Sequence, residues 1–285
     1  MKSVIPGFAI GIYEKALPAR LDWPDRLSAA AKLGFDFLEM SIDPSTEKLA
    51  RLEWSKEKRK EMRNYMEDGH LQIRSICLSA HRHNPLGSSD KKVRARGLEI
   101  MQKSIELAHD IRAHLIQVAG YDTDNEPSTA TSRQSYREGI ARSAIWASQA
   151  GVLLGLENQE RGYVDSITTA VEIVHMVDSP YLGLYSDMGN LIARNLDIVS
   201  EIQRARGLLF GVHIKDARPG QPRKIPFGEG LVPFDNIFEQ LMRIKFRGPI
   251  TIEMWNEELS NAEKVCEQAR KRILDHLEKA WCATQ

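Results

Sequence analysis

Four polar side chains that could bind a divalent metal ion close apolar segments in the second half of the sequence. They are Glu157, Asp187, His213 and Glu253. A carboxylate beside an apolar run loses solvation, and proteins tolerate this where the charge is paired, hydrogen-bonded or bound to a metal. Two glutamates, an aspartate and an imidazole form a ligand set for Mn²⁺, Mg²⁺, Co²⁺ or Zn²⁺. A cation would also offset the repulsion among three clustered carboxylates. We therefore predict one divalent metal ion at these residues.

Each of the four also has a simpler structural interpretation. A single Asp or Glu at a strand end commonly caps a helix or forms a salt bridge, and a single buried histidine commonly makes a hydrogen bond. Caps, however, have no reason to occur at four successive strand ends, each preceded by apolar residues. The combination favours a shared site.

The elements that must bring these residues together are short apolar strands that alternate with amphipathic helices. The predicted strands span residues 8–14, 35–42, 73–80, 114–120, 152–158, 181–189, 208–216 and 248–255. Helix boundary signals lie between them, such as Asp22 as a cap, Pro24 in the first turn and Gly34 just past the end.

Eight strand–helix units without a linker predict an α/β fold, a (β/α)₈ TIM barrel that forms a single domain over residues 1–285. A doubly wound open sheet is the alternative. In such barrels the active site lies at the C-terminal ends of the strands, and this is where the four candidate ligands fall.

Composition excludes several classes of function. The chain has 39 basic and 39 acidic residues, whereas nucleic-acid binders usually carry a basic excess. Its three cysteines are widely spaced and form no C-x-x-C pair, so neither a disulfide framework nor a cysteine zinc site is indicated. No apolar run has the length of a signal peptide or a membrane span. We expect a cytoplasmic protein with no nucleic-acid or membrane partner.

Several segments, with their spacing, resemble the L-ribulose-5-phosphate 3-epimerases, also called L-xylulose-5-phosphate 3-epimerases, of bacterial L-ascorbate and related pentose catabolism. The resemblance extends from about Gly11 to Trp255 through "GIYEKALP", "GFDFLEMSID", "CLSAHR", "PLGS", "QVAGYD", "SDMGNL", "VHIKD", "PFGEGLVPF" and "IEMW". It implies a xylose-isomerase-like TIM barrel, a homodimer, and the same four metal ligands. Asn190 stands where many members of the wider superfamily carry a histidine, which argues against their endonuclease-like branch.

The resemblance implies inversion of carbon 3 of a ketopentose phosphate. Loss of the C3 proton gives an enediolate, whose charge a divalent ion can stabilise. We expect Glu157 and Glu253 to be catalytic, with one abstracting the C3 proton and the other returning a proton to the opposite face.

Other residues are expected to contact the substrate. His81, Glu39, Glu160 and Asn190 are predicted to bind the sugar, with a structural salt bridge equally plausible for Glu39. For the phosphate, the loop after the seventh strand offers cationic side chains, and its Gly228 and Gly230 allow close backbone approach to an anion. These cationic residues are Lys215, Arg218, Arg223 and Lys224.

Two further functions remain open from the sequence. An aldose–ketose isomerase could use the same barrel and metal to move a proton between C1 and C2. A non-enzymatic sugar-phosphate sensor could retain the pocket, although the presence of both Glu157 and Glu253 argues against it.

Overall fold

The predicted barrel is confirmed in a computed structural model that describes residues 5–284. Eight parallel strands form the barrel: β1 (Phe8–Tyr13), β2 (Phe37–Ile42), β3 (Gln72–Leu78), β4 (Leu115–Ala119), β5 (Leu153–Glu157), β6 (Leu182–Asp187), β7 (Leu209–Ile214) and β10 (Gly248–Ile252). They close in the order β1-β10-β7-β6-β5-β4-β3-β2. The open-sheet alternative is therefore excluded, because β1 pairs with both β2 and β10.

In the part of the chain that the structure describes, ten α-helices surround the barrel or follow its strand ends. They are α1 (Trp23–Lys32), α2 (Thr46–Ala50), α3 (Lys56–Asp68), α4 (Lys91–Ile111), α5 (Ala130–Ala150), α6 (Ile167–Val177), α7 (Met188–Ala193), α8 (Ile198–Arg204), α9 (Phe234–Arg243) and α10 (Ala262–Ala283). Within residues 5–284, none of these helices has the length and apolar character needed to cross a membrane.

The boundary signals read from the sequence act as expected in α1. The side chain of Asp22 accepts a hydrogen bond from the Asp25 backbone N–H, and Pro24 lies in the first turn. Gly34 follows the helix with φ +83°, a conformation that glycine adopts without steric cost. Local capping thus sets where the chain turns into β2.

An antiparallel hairpin follows β7 and was not predicted from the sequence. The predicted seventh strand extended to residue 216, but β7 ends at Ile214, and β8 (Asp216–Arg218) pairs with β9 (Gln221–Ile225). The turn contains Pro219 and Gly220, with Gly220 at φ +72°. A Pro-Gly pair is a turn signal, so the hairpin was detectable from the sequence. It places residues 221–225 beside the mouth of the barrel.

Below the strand ends, the barrel interior contains a layer of polar side chains. Glu39, Ser75, Gln117, Tyr185 and Thr251 are all buried there. The hydroxyls of Ser75 and Tyr185 each donate a hydrogen bond of 2.7 Å to Oε2 of Glu39. Buried polar groups that satisfy one another form a rigid layer. This layer supports the side chains at the C-terminal ends of the strands.

A buried ion cluster joins the end of β1 to the segment after β2. The Glu14 carboxylate accepts hydrogen bonds from Arg51 at 2.5 and 2.9 Å, from Lys48 at 2.7 Å and from the Ser41 backbone N–H at 2.6 Å. Burial alone would raise the pKa of Glu14, but Arg51 and Lys48 outweigh it and lower the pKa to about 2. Glu14 is therefore a structural residue.

We predict that Glu14→Gln lowers the free energy of unfolding by about 3–5 kcal/mol at pH 7, because it leaves buried cations without their partner. The wild-type carboxylate contributes stability above its unfolded pKa of 4.5 and loses it as the pH falls toward 2. The acid limb of the stability curve should therefore flatten in the variant. Denaturant unfolding between pH 7 and pH 3 measures both effects.

Glu172→Gln is the matched control, since Glu172 is exposed on α6 and lies outside this cluster. Equal stability of Glu14→Gln and Glu172→Gln would contradict the structural role of Glu14.

Candidate active site

The structure brings the four predicted metal ligands together at the C-terminal end of the barrel. Glu157 and Asp187 end β5 and β6, His213 lies in β7, and Glu253 follows β10. One potential ligand atom from each residue lies within 4.8 Å of the other three, and all four residues are buried. Side chains from four neighbouring strands thus converge on one point.

Asp187 caps a helix with one carboxylate oxygen and directs the other into the cluster. Its Oδ1 caps α7 by accepting a hydrogen bond of 3.0 Å from the Asn190 backbone N–H. Its Oδ2 lies 2.5 Å from the Lys215 ammonium, within the cluster. Asn158 fixes the main chain beside it, donating to the Asp187 carbonyl and accepting from its N–H. The cap therefore sets the direction of the second oxygen.

His213 lies between two carboxylates. Its Nε2 is 2.6 Å from Oε1 of Glu39, and its Nδ1 is 2.9 Å from Oε1 of Glu157 and 4.0 Å from Oε1 of Glu253. Burial alone would lower the pKa of His213, but Glu39 and Glu253 outweigh it and raise the pKa. Nδ1 faces the other candidate ligands, so it is the nitrogen available to a metal ion, while Nε2 is held by Glu39.

The two predicted catalytic glutamates have different partners. Oε2 of Glu157 accepts hydrogen bonds from the amides of Gln117, at 2.6 Å, and Gln159. Oε2 of Glu253 instead accepts a hydrogen bond of 3.0 Å from the Lys215 ammonium. One carboxylate is thus oriented by neutral amides and the other by a cation.

The charges in the cluster favour a divalent cation. Burial raises the pKa of Asp187 to about 7, with the neighbouring glutamates adding to the effect and Lys215 opposing it. For Glu253, burial is outweighed by Lys215 and His213, which lower the pKa to about 2. A carboxylate that is difficult to ionise among other carboxylates gains from a metal ion. The donor set and its spacing therefore fit one.

A cavity of about 430 Å³ lies above the cluster, a size suited to a small ligand. Its lining includes side chains from loops at all eight barrel strand ends. The polar lining residues are Tyr13, Lys15, Asp43, Ser45, Cys77, Ser79, Arg82, His83, Tyr121, Glu157, Gln159, Asn190, Lys215, Arg223, Glu253 and Trp255.

Asn190 and Lys215, both predicted substrate contacts, line this cavity. Glu39 and His81 lie elsewhere. Glu39 is fully buried beneath His213, where its contacts are to the protein. His81 packs inward, its Nε2 lies 3.0 Å from the Gly97 carbonyl oxygen, and burial lowers its pKa to about 4. Position near a strand end did not reveal side-chain direction: the next histidine, His83, lines the cavity instead.

The remaining predicted contacts lie at or outside the rim. Glu160 accepts a 3.1 Å hydrogen bond from Arg223, which lines the cavity. Arg218 is exposed and donates to the Glu229 carbonyl, and Lys224 lines a neighbouring groove. Of the cationic residues in this loop, Lys215 and Arg223 face the cavity, while Arg218 and Lys224 do not.

The two loop glycines do approach an anion, but it belongs to the protein. The Asp216 carboxylate accepts hydrogen bonds from the N–H groups of Gly228 and Gly230, at 2.7 and 3.0 Å. A Cβ atom on Gly230 would lie 1.9 Å from Oδ1 of Asp216. The glycines therefore fold the loop around Asp216, and their backbone is not available to a phosphate.

Gln117, Asn158 and Gln159 orient Glu157 and Asp187 and were not predicted from the sequence. Asn158 and Gln159 directly follow Glu157, and Gln117 is the one polar residue of the segment 115–119. An isolated polar residue in a buried strand was the available signal.

The family follows from the sequence. The model for xylose isomerase-like TIM barrels matches residues 27–277, and the chain therefore belongs to that family. Among its relatives is L-ribulose-5-phosphate 3-epimerase UlaE of Escherichia coli strain SMS-3-5, which is 42% identical over 271 residues covering 95% of each chain. The resemblance stated from sequence motifs is confirmed.

Solved structures share the fold. A structure of L-ribulose 3-epimerase superposes with a TM-score of 0.80 at 22% identity, covering 97% of this chain and 96% of the other. D-Allulose 3-epimerase from Methylomonas sp. gives a TM-score of 0.78 at 20% identity, covering 97% and 100%. These similarities confirm the barrel architecture.

We predict that Glu39→Gln weakens divalent metal binding about 10–100-fold, because Glu39 orients the His213 ring from beneath. Calorimetric titration of the chelator-treated protein with Mn²⁺ measures the affinity. Glu138→Gln, at an exposed position of α5, is the matched control. An unchanged affinity in Glu39→Gln would show that the Glu39–His213 contact does not position the ligand.

Proposed function

We propose that this protein is a divalent metal-dependent epimerase that interconverts L-xylulose 5-phosphate and L-ribulose 5-phosphate. The observation that carries the proposal is the placement of Glu157 and Glu253 at one buried site beneath a cavity. The relative at 42% identity, which spans nearly the whole chain, bears the name of this activity. Assignment to bacterial L-ascorbate and related pentose catabolism follows from the same resemblance.

The two glutamates lie at the ends of barrel strands that are not adjacent. Glu157 belongs to β5 and Glu253 follows β10, and β6 and β7 lie between these strands. A sugar carbon held between the two carboxylates could lose a proton to one and receive a proton from the other on its opposite face. Placement of an acid and a base in this way contributes about 10²–10⁴-fold to the rate.

We assign the metal site to Glu157, Asp187, His213 and Glu253. A divalent ion bound there would supply Lewis-acid stabilisation of the negative charge that develops on the C2 and C3 oxygens. The mixed nitrogen and oxygen donors are compatible with Mn²⁺, Zn²⁺, Mg²⁺ or Co²⁺. The chain's own contribution is to hold Glu157 in a fixed direction, through the amides of Gln117 and Gln159.

The phosphate would bind near the rim of the cavity, where cationic side chains stand apart from the cluster. Lys15, Arg82 and Arg223 line the cavity there. Lys15 is paired with Asp43, and Arg223 with Glu160. Among the residues that the structure describes, no carboxylate pairs with Arg82, whose Nη2 donates to the Tyr121 hydroxyl at 3.3 Å. Of these three cationic residues, Arg82 is therefore the one whose charge is most available to bind an anion.

We place the reaction in the cytoplasm. The cysteines are all unpaired, as is usual for proteins of a reducing compartment. The homodimer implied by the family stays a prediction, which sedimentation measurements can test.

We predict that Glu157→Gln and Glu253→Gln each abolish interconversion of the two ketopentose phosphates, with at least a ~10²-fold loss of rate. In D₂O, wild type should introduce deuterium at C3, whereas an aldose–ketose isomerase would label C1 or C2. Each variant keeps one carboxylate, so each should exchange the C3 proton of only one epimer, and the two variants should prefer opposite epimers. Proton NMR with and without chelator measures this.

Glu172→Gln, at an exposed position of α6, is the control, and metal content is measured for every variant. Interconversion at the normal rate by either active-site variant would contradict the two-glutamate mechanism. Full activity of the chelator-treated protein would show that the reaction does not need a metal ion.

We predict that Arg82→Met raises KM for the sugar phosphate at least ~10-fold, because a charged hydrogen bond to phosphate contributes more than about 1.4 kcal/mol. Arg218→Met removes the same charge outside the cavity and should change KM less than about twofold. Steady-state kinetics of the two variants decide between the positions. A larger effect at Arg218 would mean that the phosphate binds over the hairpin.

A further inference from the structure

Lys215 is held inside the carboxylate cluster rather than at its rim. It is only 3% exposed, and its Nζ lies 2.5 Å from Oδ2 of Asp187 and 3.0 Å from Oε2 of Glu253. The residue also lines the cavity above the cluster. A buried ammonium is retained where carboxylates pair with it, and here two of them do.

The surrounding residues give the lysine side chain a defined path. Lys215 directly follows β7 and lies two residues after His213, and both side chains reach Glu253. Its aliphatic stem passes over Gly189, where a Cβ atom would lie 2.5 Å from Cγ of Lys215. The Nζ atom lies 5.5 Å from the centre of the Trp255 ring. Gly189 against the stem and the Trp255 ring near the ammonium thus form a slot for this cation.

The ammonium contacts oxygens that belong to two of the assigned metal ligands. An ammonium and a divalent ion that share Asp187 and Glu253 repel each other, and this repulsion is strong at a buried site of low dielectric. Removing the ammonium should therefore favour metal binding, whereas removal of a residue that supports the metal site would weaken it. The sign of the effect separates the two roles.

We propose that Lys215 has two linked roles in this protein. In the metal-free protein its ammonium neutralises Asp187 and Glu253 and so competes with the metal ion. During turnover it is a further catalytic residue, which donates a hydrogen bond to a substrate oxygen at the reacting end of the sugar. The second role rests on the proposed epimerase function, whereas the first does not.

The position of the ammonium supports the second role. It lies beside Glu253, one of the two residues assigned to proton transfer, and faces the same cavity. An ammonium has three N–H donors, so one can remain for the substrate while others contact carboxylates. A donor fixed next to the reacting carbons stabilises negative charge as it develops on their oxygens. Lys215 would therefore contact the reacting end of the sugar, and the cationic side chains at the rim of the cavity would bind the phosphate.

The first test is Mn²⁺ binding to chelator-treated protein, measured by calorimetry. Lys215→Met should bind Mn²⁺ at least ~10-fold more tightly than wild type, because a repelling charge is removed. Lys215→Arg keeps the charge and should stay close to wild type. Lys32→Met, at an exposed position in the last turn of α1, is the matched control and should not change the affinity.

An unchanged or weaker Mn²⁺ affinity in Lys215→Met would overturn the competing role. Lys215→Gln, which keeps a polar tip, is measured in parallel, so that misfolding of one variant does not decide the result. Circular dichroism with Mn²⁺ present identifies a folded variant.

The second test is steady-state kinetics at saturating Mn²⁺. Lys215→Met should lose at least ~10²-fold in kcat, with KM changed less than about threefold, as expected for a contact made in the transition state. A higher KM with normal kcat would mean that Lys215 only binds substrate, and normal kinetics would overturn the catalytic role. If wild type itself does not epimerise the sugar phosphate, the proposed function fails together with this second role, while the Mn²⁺ comparison still decides the first.

Discussion

Repulsion among carboxylates at the base of the cavity is the constraint on which the rest of the site depends. Glu157, Asp187 and Glu253 converge there at buried positions with Glu39 beneath His213, because the closed barrel brings the ends of its strands together. Buried like charges are unstable unless cations and hydrogen-bond donors compensate them. Almost every polar residue around the cluster can be understood as part of this compensation.

The compensation differs for each carboxylate, and this difference gives each one a separate role. Glu39 receives hydroxyl donors and holds His213 from below. Asp187 uses one oxygen to cap α7 and directs the other into the cluster. Glu157 is held by amides and Glu253 by Lys215, so the two faces of a bound sugar would meet carboxylates in different electrostatic surroundings.

The fold and the four-residue cluster could be predicted from the sequence, because both depend on regular features of it. Strand–helix alternation defines the barrel, and polar residues at successive strand ends must converge once the barrel closes. Contacts that depend on side-chain direction could not be obtained in this way. His81 and His83 occupy the same loop, yet backbone turns bury the first and turn the second to the cavity.

Local sequence was also insufficient to predict ligand contacts where a group of the protein occupies the position expected for a ligand. The glycines at positions 228 and 230 have the pattern of a loop that binds anions, but Asp216 supplies the anion from within the chain. Similarly, Lys215 has the charge expected of a phosphate contact, but lies among carboxylates. Both outcomes depend on the hairpin after β7 and the slot over Gly189, which arise from long-range packing.

A crystal structure of the protein soaked with Mn²⁺, with anomalous scattering used to locate the ion, would show directly whether these carboxylates form a metal site. We expect a single strong peak at the base of the cavity, with Glu157, Asp187, His213 Nδ1 and Glu253 as its protein ligands. The absence of an anomalous peak at the base of the cavity at saturating Mn²⁺ would contradict the proposed metal site. An ion bound there without Glu157 and Glu253 as ligands would also contradict it.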